Sequence, residues 1–149
     1  MNISIHKEVV SIYSKYQLIM ICSEEIAELI EQLSNRNKNT KYIAEEVCDV
    51  IISIKRIELM LNIRLKNNLN LKSTNNYEYI RLLSKMQKCL SKYFRNNFIY
   101  NDVFLRQLEL TKAVVRSLIL KYDIEEEVDD WIVKKELRTK ERIAMKILK

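Results

Sequence analysis

Neither glycine nor proline occurs anywhere in the chain. At ordinary usage about 10 of the first and about 7 of the second would be expected in 149 residues. Phosphate loops of the Walker type, dinucleotide-binding turns and nucleophile elbows all need glycine, for positive φ or for close approach of the backbone to a ligand. Tight two-residue hairpins lean on Asn-Gly or Asp-Gly, so all-β and doubly wound folds lose their usual turns. The fold class left is all-α, a helical bundle whose loops are closed by Asn, Ser, Lys and Asp. Phosphate chemistry in such a chain has to come from side chains and metal.

The length suits one domain with a real core, residues 1–149. The longest apolar runs, such as Leu18 to Cys22, fall far short of the roughly 20 residues that cross a bilayer, so no membrane partner is expected. The opening MNISIHKEVV lacks the layout of a secretion signal. Cys22, Cys48 and Cys89 are scattered and odd in number, and His6 is the one histidine, which argues against a zinc site or a disulfide framework. A reducing, cytoplasmic compartment is expected.

Charge is unevenly spread. Residues 1–58 carry a balance of −2, residues 59–122 a balance of +9 and residues 123–149 a balance of −1. The basic middle reads either as a solvated face or as a surface attracted to polyphosphate or nucleic acid.

Apolar periodicity predicts helices over residues 4–15, Gln17 to Leu33, Lys41 to Leu61 with Thr40 as its cap, 77–94, 101–121, and Glu125 to Leu148. On the second of these, Leu18, Cys22, Ile26, Leu29 and Leu33 form an apolar arc. Glu25 lies inside that arc and Glu28 at its edge, whereas Glu24 and Glu31 point to the polar side. The third helix has two apolar faces, with Glu46, Asp49 and Ser53 in the stripe between them. Unpaired carboxylates are costly to bury, and two such pairs on consecutive helices converge across an antiparallel hairpin. Three readings follow. The acids pair with Lys55 or Arg56, or the helices are rotated otherwise and the acids sit at the surface, or they hold a cation. Oxygen ligands without histidine select a hard ion, magnesium with manganese as a substitute. A ferritin-like di-iron site would need Glu-x-x-His pairs, and His6 is expected to lie far from both helices.

EEIAEL (Glu24 to Leu29) followed on the next helix by EEVCDV (Glu45 to Val50) resembles the EExxE…ExxD signature of the MazG-like all-α nucleoside triphosphate pyrophosphatases. That group includes MazG itself, the dimeric dUTPases and phosphoribosyl-ATP pyrophosphatase. Tyr16 to Leu29 looks especially like small phage and prophage members, and the resemblance covers roughly residues 16–62. A weaker match, Trp131 to Ile143, is similar to the basic closing helix of the group. The resemblance implies a magnesium-dependent enzyme that hydrolyses a nucleoside or deoxynucleoside triphosphate to monophosphate and pyrophosphate. It implies Glu25, Glu28, Glu46 and Asp49 as metal ligands, and Glu24 either as a residue just outside the ligands or as one that helps orient the water. Lys135, Arg138 and Arg142 of the last helix are the candidate phosphate contacts. Trp131 is either a base-stacking ring or part of the core.

At one constant offset, that from Ser23 to Ser84, the second half of the chain overlays the first. Leu29 and Asn35 fall on Leu90 and Asn96, and Val47, Lys55, Leu59 and Ile63 fall on Leu108, Arg116, Leu120 and Ile124. The four acids fall on Met86, Cys89, Gln107 and Leu110, so the second copy carries no metal site. On this reading residues 17–61 are the catalytic hairpin, 77–121 a degenerate second hairpin and 125–148 the closing helix. The product is a pseudo-dimeric monomer or a homodimer. Arg81, Lys85, Lys88, Lys92, Arg95 and Arg106 either face the triphosphate or lie on helix exteriors. The competing reading from another class is a non-enzymatic basic helical module that binds nucleic acid or protein. A third is a lapsed enzyme that binds triphosphate without turnover.

Overall fold

The computed structural model describes residues 1–146, which form six α-helices and no strand. They are α1 (Ile3–Ile12), α2 (Lys15–Ser34), α3 (Thr40–Leu61), α4 (Asn76–Arg95), α5 (Asp102–Tyr122) and α6 (Glu125–Ala144). No helix among the described residues is long and apolar enough to cross a membrane.

Small polar side chains begin every helix but the last. Asn2, Ser14, Asn39, Asn75 and Asn101 each accept a hydrogen bond from a backbone N–H of the first turn, and Ser14 with Gln17 makes a reciprocal capping box. The cap of α3 is thus Asn39 and not Thr40, which is the first helical residue. The Asn39 side chain accepts from the Lys41 N–H at 3.0 Å. α1 stops at Ile12, short of the expected end, because Ser14 is taken as the cap of α2. α6 has no side-chain cap but opens with Glu125, Glu126 and Glu127 against the helix dipole. It ends at Ala144, and Leu148, the expected end, lies outside the described residues.

At the C-termini of α3 and α5 the left-handed cap that glycine usually supplies is made by Asn62 (φ 53°) and Asp123 (φ 51°). In both, the next N–H reaches back into the helix, Ile63 to the Glu58 carbonyl and Ile124 to the Ile119 carbonyl. Left-handed backbone costs a residue with a Cβ more than glycine. Asp123 is exposed. Asp123→Gly should therefore stabilise the fold by about 0.5–1 kcal/mol, read as a rise of about 2 °C in thermal midpoint.

α2 and α3 form one hairpin and α4 and α5 a second, with α4 laid on α2 and α5 on α3. α1 and α6 also pack on α3, which is thereby covered by four helices. This is why α3 has two apolar faces and buries Ile43, Val47, Val50, Ile54 and Ile57 together with Cys48 and Ile52. Most helix ends and caps of the two hairpins coincide at the offset from Ser23 to Ser84. Lys15–Ser34 corresponds to Asn76–Arg95 at both ends, the N-caps Ser14 and Asn75 correspond, and so do the left-handed caps Asn62 and Asp123. Residues 62–75, which connect the hairpins, are pinned from α5. Arg116 donates to the Leu69 carbonyl at 2.7 Å, and Lys121 to the Thr74 carbonyl at 3.0 Å.

Candidate metal centre

α2 and α3 bring one carboxylate oxygen each from Glu25, Glu28, Glu46 and Asp49 to within 4.8 Å of one another. Glu25 and Glu28 are one helical turn apart on α2, and Glu46 and Asp49 one turn apart on α3, so each helix offers a pair from a single face. Glu28 is exposed, whereas the other three are half-buried. One oxygen each of Glu25 and Glu46 (Oε2) is buried with no hydrogen-bond partner. An orphaned buried carboxylate oxygen is rare in a folded protein.

Electrostatics follow from the crowding. Burial, then the charges of Asp49, Glu28 and Glu46, pushes the Glu25 carboxyl up to about 8, against the weaker opposing pull of Lys135. Burial, with the adjoining Glu28 carboxyl next, pushes Glu46 up to about 7. Asp49 is raised too, chiefly by burial, although its bond to Lys135 works the other way. Burial, as the largest cause, pushes the flanking thiols of Cys22 and Cys48 up to about 12, so both are neutral thiols in the metal-free fold.

A cation does reach the cluster from the protein itself, and it is not Lys55 or Arg56. Lys135 of α6 lies 3.0 Å from Asp49 Oδ1 and 3.3 Å from Glu45 Oε2. Of the four, Lys135 pairs with Asp49, and among the described residues no ammonium or guanidinium pairs with Glu25, Glu28 or Glu46. The donor set fits a divalent hard cation: oxygens only, on one groove, with two buried oxygens unsatisfied.

Of the other sequence candidates, Glu24 is exposed and stands outside the converging set. Arg138 and Arg142 are exposed as well, with no ion pair to the cluster among the described residues. Arg81, Lys85, Lys88, Lys92, Arg95 and Arg106 are all on helix exteriors. Trp131 packs on the edge of the core with the ammoniums of Lys134 and Lys135 over its ring, at 5.0 and 5.5 Å. Its second role is therefore to seat Lys135. Sequence reasoning missed Glu45. Its signal was the doubled Glu45-Glu46, which puts one acid into the groove and the other toward α6.

His6 corrects an expectation outright. It does lie against α3, fully buried, because α1 folds back onto that helix. Arg56 Nε donates to His6 Nδ1 at 3.2 Å, so the ring proton sits on Nε2 and points at Glu136 Oε2, 2.7 Å away. The same Glu136 oxygen accepts from the Asn2 N–H at 2.7 Å. Burial pulls the imidazole below its ordinary value and outweighs the Glu136 bond. His6 is a neutral tie between α1, α3 and α6, and no metal ligand. Glu136→Ala strands the His6 and Asn2 donors and should cost about 2–3 kcal/mol in a denaturant titration.

Comparison with protein-family models, with curated proteins and with solved structures finds no match to this chain in any of the three.

Proposed function

We propose that the chain is a magnesium-dependent pyrophosphohydrolase of nucleoside or deoxynucleoside triphosphates, acting in nucleotide-pool sanitation or control. The single observation that carries this reading is the convergence of Glu25, Glu28, Glu46 and Asp49 with two buried oxygens unsatisfied. The resemblance of the motif to the MazG-like group supplies the reaction. A water oxygen bonds to the α-phosphorus, and the bond from that phosphorus to the α–β bridging oxygen breaks. Its electron pair leaves with pyrophosphate, and the water loses a proton to solvent. Glu25, Glu28, Glu46 and Asp49 would hold magnesium, or manganese in its place, which would neutralise charge on the phosphate oxygens and lower the pKa of water.

The protein's own part is to hold and orient. The two helix pairs fix four acceptors on a rigid hairpin, and the raised Glu25 and Glu46 carboxyls release their protons when a cation takes the site. Lys135 pairs with Asp49 and Glu45 and sets a positive charge at the lip, where phosphate oxygens would lie. Packing of α4 and α5 on α2 and α3 suits a pseudo-dimeric monomer, with a homodimer as the alternative. Three free cysteines suit a reducing, cytoplasmic setting.

One observation favours a second reading. Arg81, Lys85, Lys88, Lys92 and Arg95 share one exposed stripe of α4, as a phosphate-backbone contact of a nucleic-acid-binding module would require. The two readings separate in a panel of ribo- and deoxyribonucleoside triphosphates with magnesium and with manganese, reading pyrophosphate. Release from at least one triphosphate is expected. Its absence from all, together with nucleic-acid binding that falls steeply with salt, would favour the second reading.

A further inference from the structure

A half-open cavity of about 390 Å³ lies between α3, α5 and the start of α1. Helical periodicity sets its α3 lining, Ile51, Ile54, Lys55 and Glu58, on the side of that helix away from Glu46 and Asp49. The α5 lining is Lys112, Val115, Arg116 and Ile119. Each of these is the repeat counterpart of an α3 lining residue: Ile51 with Lys112, Ile54 with Val115, Lys55 with Arg116, Glu58 with Ile119. The cavity therefore sits on the seam where the corresponding positions of the two hairpins face each other. Its volume falls in the range of small-molecule sites.

The lining combines apolar side chains with the charged Lys55, Glu58, Lys112 and Arg116. Lys112 Nζ lies 3.2 Å from Glu58 Oε1, and Lys55 Nζ only 3.9 Å from Glu58 Oε2. Glu58 is buried and neutralises one cation, so Lys55, Lys112 and Arg116 leave a surplus of two positive charges. Arg116 spends two of its five donors on Asn67 and the Leu69 carbonyl, which leaves the rest of the fork free. Lys55, held at the limit of ion-pair distance, keeps most of its donors. The Glu58 carboxylate in the lining disfavours a polyphosphate and takes up Lys112, so Lys55 and Arg116 remain to hold one anionic headgroup on an apolar body.

We propose that this cavity binds a small amphipathic carboxylate, its headgroup on Lys55 and Arg116 and its hydrocarbon body against Ile54, Val115 and Ile119. The occupant would touch both hairpins at once, and through Arg116 the 62–75 connector. This site is independent of the pyrophosphohydrolase reading and stands or falls without it.

Decanoate and its uncharged counterpart decanol test it on the full chain, with isoleucine methyl groups isotopically labelled. Decanoate is expected to saturate one site, to shift the methyl signals of Ile51 and Ile54, and to bind at least about tenfold tighter than decanol. The double change Lys55→Gln/Arg116→Gln should weaken decanoate about tenfold or more and leave decanol where it was. Equal binding of acid and alcohol, or unmoved Ile51 and Ile54 signals in the unaltered protein, overturns the proposal. The methyl map needs no variant, so it decides the location even where the double change fails to fold.

Discussion

Replacing Glu46 and Asp49 together by alanine is expected to cut magnesium-dependent pyrophosphate release by more than about 100-fold, since half of the proposed ligand set goes with them. The same change should make the metal-free protein more stable. It deletes two carboxylates that burial and mutual repulsion disfavour as anions, and it leaves Glu25 and Glu28 with fewer like charges nearby. Loss of activity coupled to a higher thermal midpoint is the signature of a site built at a cost to the fold. Loss of activity with a lower midpoint would instead mark the pair as structural. Pyrophosphate release that survives the double change would remove these residues from the chemistry.

The stability of the metal-free protein should fall as pH rises through neutrality. Glu25 has an ordinary value of 4.5 and stands near 8 in the fold. The folded chain thus keeps a proton that the unfolded chain has already released. A raised carboxyl contributes fully below its unfolded value, and that contribution is lost as pH climbs toward the folded one. Glu46, raised to about 7, acts in the same direction. His6 works oppositely: its lowered value makes the fold weaker as pH drops below 6.5. The decline should accordingly be clearest between pH 6.5 and 8. A drop of about 5 °C in thermal midpoint is expected there without metal, largely reversed by magnesium. Glu25→Gln should flatten the slope. A metal-free midpoint that rises across this window would contradict the charge account of the groove.

The wheel positions of Glu25, Glu28, Glu46 and Asp49 were legible because helical period alone sets which face a residue takes, and here the acids interrupted apolar arcs. The bounds of the α4–α5 hairpin were legible for a related reason. Caps such as Ser14 and Asn75, or Asn62 and Asp123, are local devices that survive at a fixed spacing. What remained hidden depended on contacts between segments far apart in the chain. Lys135, Arg138 and Arg142 looked alike on one helix, and only the docking of α6 on α3 brings Lys135 to Asp49 and leaves the two arginines in solvent. His6 was misplaced because nothing in its local sequence says that α1 folds back over Arg56. The cavity on the seam was equally out of reach, although the pairing of Lys55 with Arg116 was already present in the repeat.

The most direct test of the central claim follows the oxygen. The unaltered protein is incubated with a hydrolysable deoxynucleoside triphosphate and magnesium in oxygen-labelled water, and the products are weighed by mass spectrometry. One label per turnover is expected in the nucleoside monophosphate and none in pyrophosphate. Label in pyrophosphate, release of orthophosphate in its place, or no product from any triphosphate would contradict it.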